Sequence, residues 1–203
     1  RMGEVHAVVG ENGAGKSTLM KMLAGLYKLD KGIIKVDGKD VEISTPQDAF
    51  QHGIGMVHQH FQLVDNLTVA ENIHLGWENT PIHITKKTLA DRVLRISTEL
   101  GYQVDPNAYI WQLSVGEQQR VEILRVLARG ARILIMDEPT AVLTPGEAEE
   151  LMVAIEKFKS NGNSVVFISH KLDEVMRISD RVTVLRDGKN VATLPIEECS
   201  NKV

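Results

Sequence analysis

With one cysteine, Cys199, in 203 residues, the chain can form no internal disulfide, and this usage fits a reducing compartment. Lacking a thiol partner, Cys199 reads as an incidental thiol. Long apolar runs are missing too: nothing approaches the roughly 20 residues of a membrane-spanning helix, and the first residues do not read as a signal peptide. A soluble or peripheral protein is expected. Neither sign of charge dominates, since 23 Lys and Arg against 27 Asp and Glu leave a net charge of −4. Nucleic acid is therefore not expected as the main partner. Internal repeats and low-complexity tracts are also absent. A hydrophobic content of 43% is ample for a core, and the length suits one domain, or a domain with a subdomain. Arg1 to Glu4 runs almost at once into an apolar stretch, and residues 199–203 close no obvious element. A fragment of a longer polypeptide is the expectation.

The feature that organises the rest is Gly10-Glu11-Asn12-Gly13-Ala14-Gly15-Lys16-Ser17, which matches the phosphate-binding P-loop pattern G-x-x-x-x-G-K-S/T. Val5 to Val9 before it reads as a short buried strand, and Thr18 to Leu23 after it reads as a helix. The chemistry needs these residue types. Glycines let successive N–H groups turn inward on a polyphosphate at the positive end of a helix, and Thr18 lies in that first turn. Lys16 supplies a mobile charge for the β- and γ-phosphates, and Ser17 supplies a hydroxyl for Mg²⁺.

Further along, Ile33 to Val36 and Lys39 to Val41 flank Asp37-Gly38, a hairpin turn pair. Pro46 to Gln51 is a short helix capped by Thr45, and Ile54 to His58 is a buried strand ending at Gln59. From about Asn66 to Arg129 the texture is helical. Leu89, Val93, Ile96 and Leu100 fall at helical spacing, as do Ile123, Leu124, Leu127 and Ala128, and breakers at Gly101 and Pro106 separate the two sets. An inserted helical subdomain follows from this pattern.

The α/β alternation then resumes with a strand over Arg132 to Asp137 and a helix over Glu147 to Ser160. A strand over Val165 to Ile168, a helix over Lys171 to Ile178 and a second hairpin around Asp187-Gly188 complete it. Asp137 and Glu138 end an apolar strand, where side chains open into the ligand crevice of an α/β sheet. Asp137 is placed for Mg²⁺, and Glu138 for polarising an attacking water. Adjacent acids alone also mark an ordinary strand end, and the P-loop in the same chain favours chemistry. His58 and His60 flank Gln59 at i, i+2 without a third ligand nearby, so they do not read as a metal site.

Leu113-Ser114-Val115-Gly116-Glu117-Gln118-Gln119-Arg120 resembles the signature motif of the ATP-binding cassette (ABC) ATPases. With the P-loop, Asp137-Glu138, Gln59 in the place of the Q-loop glutamine and His170 in that of the switch histidine, five ordered motifs match over nearly the whole chain. The resemblance implies an α/β fold, a P-loop NTPase of ABC type, with a mostly parallel core sheet, an antiparallel β portion and an inserted helical subdomain at 66–129. It implies ATP and Mg²⁺ as cofactors, Gln59 touching Mg²⁺ and the lytic water, and His170 bonding the γ-phosphate. Ser114 and Gly116 would bind the γ-phosphate of a nucleotide on a second, opposed cassette.

The finer likeness, carried by Met56 to Phe61, Leu67 to Ile73 and Asp137 to Pro145, is to the first of two tandem cassettes in bacterial uptake ATPases for simple sugars and nucleosides. The implied partners are that second cassette, transmembrane permease subunits and, indirectly, a solute-binding protein. The implied place is the cytoplasmic face of the membrane. Two departures from the family pattern stand out. Thr144 occupies the place of the aspartate that ends the D-loop, and the aromatic residue that stacks on adenine lies upstream of the first strand, with no counterpart here. A soluble ABC protein of translation or chromosome maintenance and a regulatory cassette with little turnover are the other readings. The short insertion speaks against the first, Glu138 against the second.

Overall fold

The computed structural model describes residues 1–59, 61–76 and 85–199. Its main sheet has six strands in the order β4-β5-β6-β1-β7-β8. These are β1 (Val5–Val9), β4 (Ile54–Val57), β5 (Ile133–Asp137), β6 (Ser164–Ile168), β7 (Arg181–Arg186) and β8 (Lys189–Pro195). β4, β5, β6, β1 and β7 pair in parallel, and only β8 runs antiparallel, folded back on β7. The parallel strands are short apolar runs buried on both faces, as parallel pairing demands. Val5, Ala7, Val165 and Phe167 have no measurable exposure. A second, two-stranded antiparallel ribbon joins β2 (Ile34–Val36) to β3 (Lys39–Val41).

Both hairpins turn through an Asp-Gly pair with positive φ at each residue, 52° and 76° at Asp37-Gly38 and 49° and 72° at Asp187-Gly188. That geometry matches the twist of the flanking strands. The antiparallel portion is thus split: one hairpin forms the separate ribbon, and the other enters the main sheet because β7 pairs with β1.

The helices are α1 (Lys16–Leu23), α2 (Pro46–Gln51), α3 (Val69–His74), α4 (Lys86–Leu100), α5 (Val115–Ala128), α6 (Pro145–Ser160) and α7 (Leu172–Ile178). Four start with reciprocal caps, Thr45 with Asp48, Thr68 with Glu71, Ser114 with Glu117 and Thr144 with Glu147. Each box satisfies backbone donors that the first turn leaves orphaned. Most boundaries fall within a residue of the sequence reading, and two helix starts depart from it by two residues. α1 begins at Lys16, on Gly15, and α6 begins at Pro145 on a Thr144 cap, two residues before Glu147.

Between β4 and β5 the described elements are all helical, with α3, α4 and α5 packed on one another. α5 also lies against β4, so one continuous core runs from the sheet into these helices. Leu89, Val93 and Leu100 of α4 are buried as the periodicity demands, while Ile96 is only partly covered. His60, and with it any His58–His60 pairing, lies outside the described residues.

The α5–β4 contact is close because Gly55 has no side chain. A Cβ there would stand 2.2 Å from Val126 Cγ1 and 3.0 Å from Ala131 Cβ. Gly55→Ala should therefore destabilise the protein by about 1–3 kcal/mol, an overpacking cost, and Val126→Ala in the same chain should recover part of it. Thermal unfolding of the single and double variants checks this.

Candidate functional site

The loops that leave the carboxyl ends of β1, β4, β5 and β6 carry, in turn, the P-loop, Gln59, Asp137-Glu138 and Ser169-His170. Parallel pairing puts them on one edge. Val8, Ile168 and Asp137 are in register across β1, β6 and β5, so the three loops start level with one another.

The P-loop is shaped by its glycines. Gly10 has φ 155°, and a Cβ on it would sit 2.2 Å from the Leu185 carbonyl oxygen of β7. No other residue fits between the strand and the loop. Gly15 caps α1 in the left-handed region, φ 94°, leaving the N-terminal N–H groups of α1 facing the loop. Lys16 is buried, and its ammonium donates to the Gly10 carbonyl at 2.7 Å and the Glu11 carbonyl at 3.1 Å. The Gly188 N–H donates to the Ala14 carbonyl at 3.1 Å, so the turn of the second hairpin braces the loop. No motif pointed to that brace, because it depends on β7 lying beside β1.

At the end of β5, Asp137 is buried and Glu138 takes φ 49°, a strained value for a residue with a side chain. The Glu138 N–H still donates to the Ile168 carbonyl at 2.9 Å, so the strain is held by the neighbouring strand. His170 is exposed, and its Nδ1 lies 3.2 Å from Glu138 Oε1. The two were singled out separately in the sequence and meet here. Gln59 is exposed on the same edge. Its neighbour His58 has its pKa pushed down by burial first, then by the charges of Arg125 and Lys21.

The loop after Glu138 is pinned by residues to which the sequence reading gave no such role. Gln119 Nε2 donates to the Pro139 carbonyl at 2.6 Å. Lys171 Nζ donates to the Thr140 carbonyl at 3.1 Å, and the Thr140 hydroxyl donates to Glu174 Oε2 at 2.6 Å. Gln119 is a polar residue in the buried face of α5, and that placement is the signal that could have drawn attention to it.

Ser114 and Gly116 belong to the start of α5. Ser114 is the exposed N-cap of α5, and among the described residues no hydrogen bond joins either residue to the P-loop. Gly116 instead abuts Glu147, whose Oε1 lies 2.2 Å from where a Cβ would be. The Glu147 carboxylate accepts from the Thr144 N–H at 2.9 Å and from the Thr144 hydroxyl at 2.8 Å. Thr144, at the end of the D-loop, is thus a helix cap. Its N–H and hydroxyl hold the Glu147 pKa below the usual carboxylate range, with smaller help from Arg120 and the Gly116 N–H.

A glycine-lined cradle with a buried lysine, facing two acids, a histidine and a glutamine on the carboxyl edge of a parallel sheet, defines a P-loop nucleotide-binding protein. The chain belongs to the ABC transporter family, whose model matches residues 1–141. It is 51% identical over 203 residues to the nucleoside import ATP-binding protein NupA of Lactococcus lactis, covering 100% of this chain and 40% of that protein. It is 53% identical over 199 residues to the guanosine import ATP-binding protein NupO of Bacillus subtilis, covering 98% and 39%. The chain therefore spans about two fifths of the length of the curated relatives it matches. Among solved structures it resembles a nucleotide-free ATP-binding cassette from an ABC transporter, with TM-score 0.85 and 28% identity over 96% of this chain and 81% of that one. It also resembles the ADP conformation of the cassette MJ1267, with TM-score 0.83, 27% identity and coverage of 96% and 81%.

Two expected outcomes follow from this geometry. Gly10→Ala should lower ATP affinity at least about tenfold, or about 1.4 kcal/mol, since the new methyl must displace either β7 or the loop; equilibrium nucleotide binding measures it. The Glu147 contribution to stability is fully present above the unfolded value of 4.5 and is lost as pH falls through the lower folded value. Thr144→Ala should cost about 1 kcal/mol near neutral pH and flatten this acid-side dependence, read from thermal midpoints across the acid range.

Proposed function

We propose that this chain binds MgATP and hydrolyses it to power import of a small polar solute, a nucleoside or simple sugar, through a membrane permease. The observation that carries the reading is the convergence of the P-loop, Asp137-Glu138, Gln59 and His170 on one sheet edge, within a chain of the ABC transporter family. The relatives support the solute class: nucleoside and guanosine import for the two above, and ribose import for the 49% identical ribose import ATP-binding protein RbsA 3 of Rubrobacter xylanophilus.

The donor set suits magnesium: the Ser17 hydroxyl, the Asp137 carboxylate and the Gln59 amide oxygen are all hard oxygens. When bound there, the ion supplies charge neutralisation on the phosphates. The P-loop N–H groups and the α1 N-terminus, with Gly10 to Thr18, cradle the phosphates, and Lys16 turns its ammonium from the loop carbonyls to the γ-phosphate. Glu138, aimed by its strained backbone, draws the proton of the attacking water, while Gln59 orients that water. His170, held by Glu138, donates to the γ-phosphoryl oxygen as charge develops.

Ser114 and Gly116 serve the nucleotide of a second cassette, a role supported by the exposed position of Ser114 at the N-terminus of α5. The working unit is accordingly a head-to-tail pair, with the second cassette in the same full-length chain. Residues 66–129 act as a helical subdomain whose junction with the core, after Gln59, faces the permease. The assembly sits on the cytoplasmic face of the membrane; among the described residues no helix is long and apolar enough to cross one. A solute-binding protein delivers the solute to the permease, and nucleic acid takes no part. One observation favours a second reading, a regulatory cassette: Thr144 replaces the D-loop aspartate, and its hydroxyl is spent capping α6 through Glu147.

ATP turnover by the paired cassettes tests both readings. Glu138→Gln should reduce it about 100-fold or more while ATP still binds. Turnover that survives the change would demote this cassette to the regulatory role.

A further inference from the structure

Three residues beyond Gln59 the backbone is held from both sides. The Gln62 N–H donates to Glu122 Oε1 at 2.5 Å, and the Gln62 carbonyl accepts from Arg125 Nη1 at 2.5 Å. Arg125 Nη2 closes the ring by donating to Glu122 Oε2 at 2.7 Å. Glu122 is only 1% exposed, a costly place for a carboxylate unless its lone pairs are matched. Burial raises its pKa, and Arg125 and the Gln62 N–H oppose that rise. An apolar pair would fill the same space at less cost in desolvation. What it could not do is fix one residue's N–H and C=O together.

The loop is fixed again two residues on. Fully buried Asn72 of α3 accepts from the Val64 N–H at 2.8 Å and donates to the Val64 carbonyl at 3.0 Å. From Gln62 onward the loop therefore travels with α3 and α5, whereas Val57, before Gln59, belongs to β4.

Glu122 and Arg125 stand on α5, the helix whose first turn carries Ser114 and Gly116, with Glu122 about 12 Å further along the axis. We propose that Glu122 and Arg125 are positioning residues that clamp the Gln59 loop to α5. By fixing Gln62 three residues on, they set where Gln59 stands for the attacking water. This rests on the hydrolytic reading above.

The test is a double-mutant cycle in the full-length chain with its second cassette, reading ATP turnover and, separately, equilibrium ATP binding. Arg125→Lys keeps the charge that faces Glu122 but loses the fork that reaches Gln62. It should lower kcat about tenfold or more, with ATP affinity within about twofold of the wild type. On a Gln59→Ala background the same change should cost nothing further. Glu122→Gln, which keeps an acceptor for the Gln62 N–H but not the charge that holds the guanidinium, repeats the cycle should the lysine variant misfold. Losses that multiply with Gln59→Ala, or that fall equally on affinity and kcat, overturn the clamp. A wild-type assembly without turnover overturns the hydrolytic reading itself and takes the clamp with it, an outcome the wild-type control separates from the others.

Discussion

Parallel pairing of β1, β6 and β5 is the constraint on which the site depends. Because Val8, Ile168 and Asp137 are in register, the P-loop, the Glu138 turn and the His170 loop leave the sheet at one level, and His170 reaches Glu138 there. A slip of one residue in β5 would turn its side chains to the other face and carry Asp137 away from the P-loop's side of the sheet. The pairing is held by side chains with no place in the chemistry, chiefly Val5, Ala7, Val165 and Phe167, each worth about 1.5–3 kcal/mol of burial for the larger ones.

Rigidity on this edge is distributed through polar contacts made from outside it. Gly188 braces the P-loop, Ile168 holds the strained Glu138, and Gln119, Lys171 and Glu174 fix the loop that follows. Each contact satisfies a backbone or side-chain group that the crevice would otherwise leave free to move. The loop after Gln59 is treated in the same way by Glu122, Arg125 and Asn72. α5 takes part in two of these sets, so one helix touches both the acid-bearing loop and the glutamine loop.

Much of the architecture was legible because its signals are local. The Asp-Gly pairs specify hairpin turns through their backbone preferences, and Thr45-Pro46 specifies where α2 starts. α4 followed from the spacing of Leu89, Val93 and Leu100. The late start assigned to α6 has a plain cause. Thr144 stands at the place of the D-loop acid, and it is also one half of a capping box with Glu147 three residues on, a local signal that starts the helix at Pro145.

By itself the sequence determined the strand and helix segments, the P-loop and the chemical character of Glu138, Gln59 and His170, since these depend on residue type and on spacing along the chain. Only the tertiary structure decided that the second hairpin joins the main sheet while the first stands apart, and that His170 meets Glu138. It also decided that Glu147 lies on Gly116 and that a buried ion pair holds Gln62. These contacts join residues tens of positions apart or more, and which partner each polar group finds depends on strand order and helix packing, which no local preference encodes.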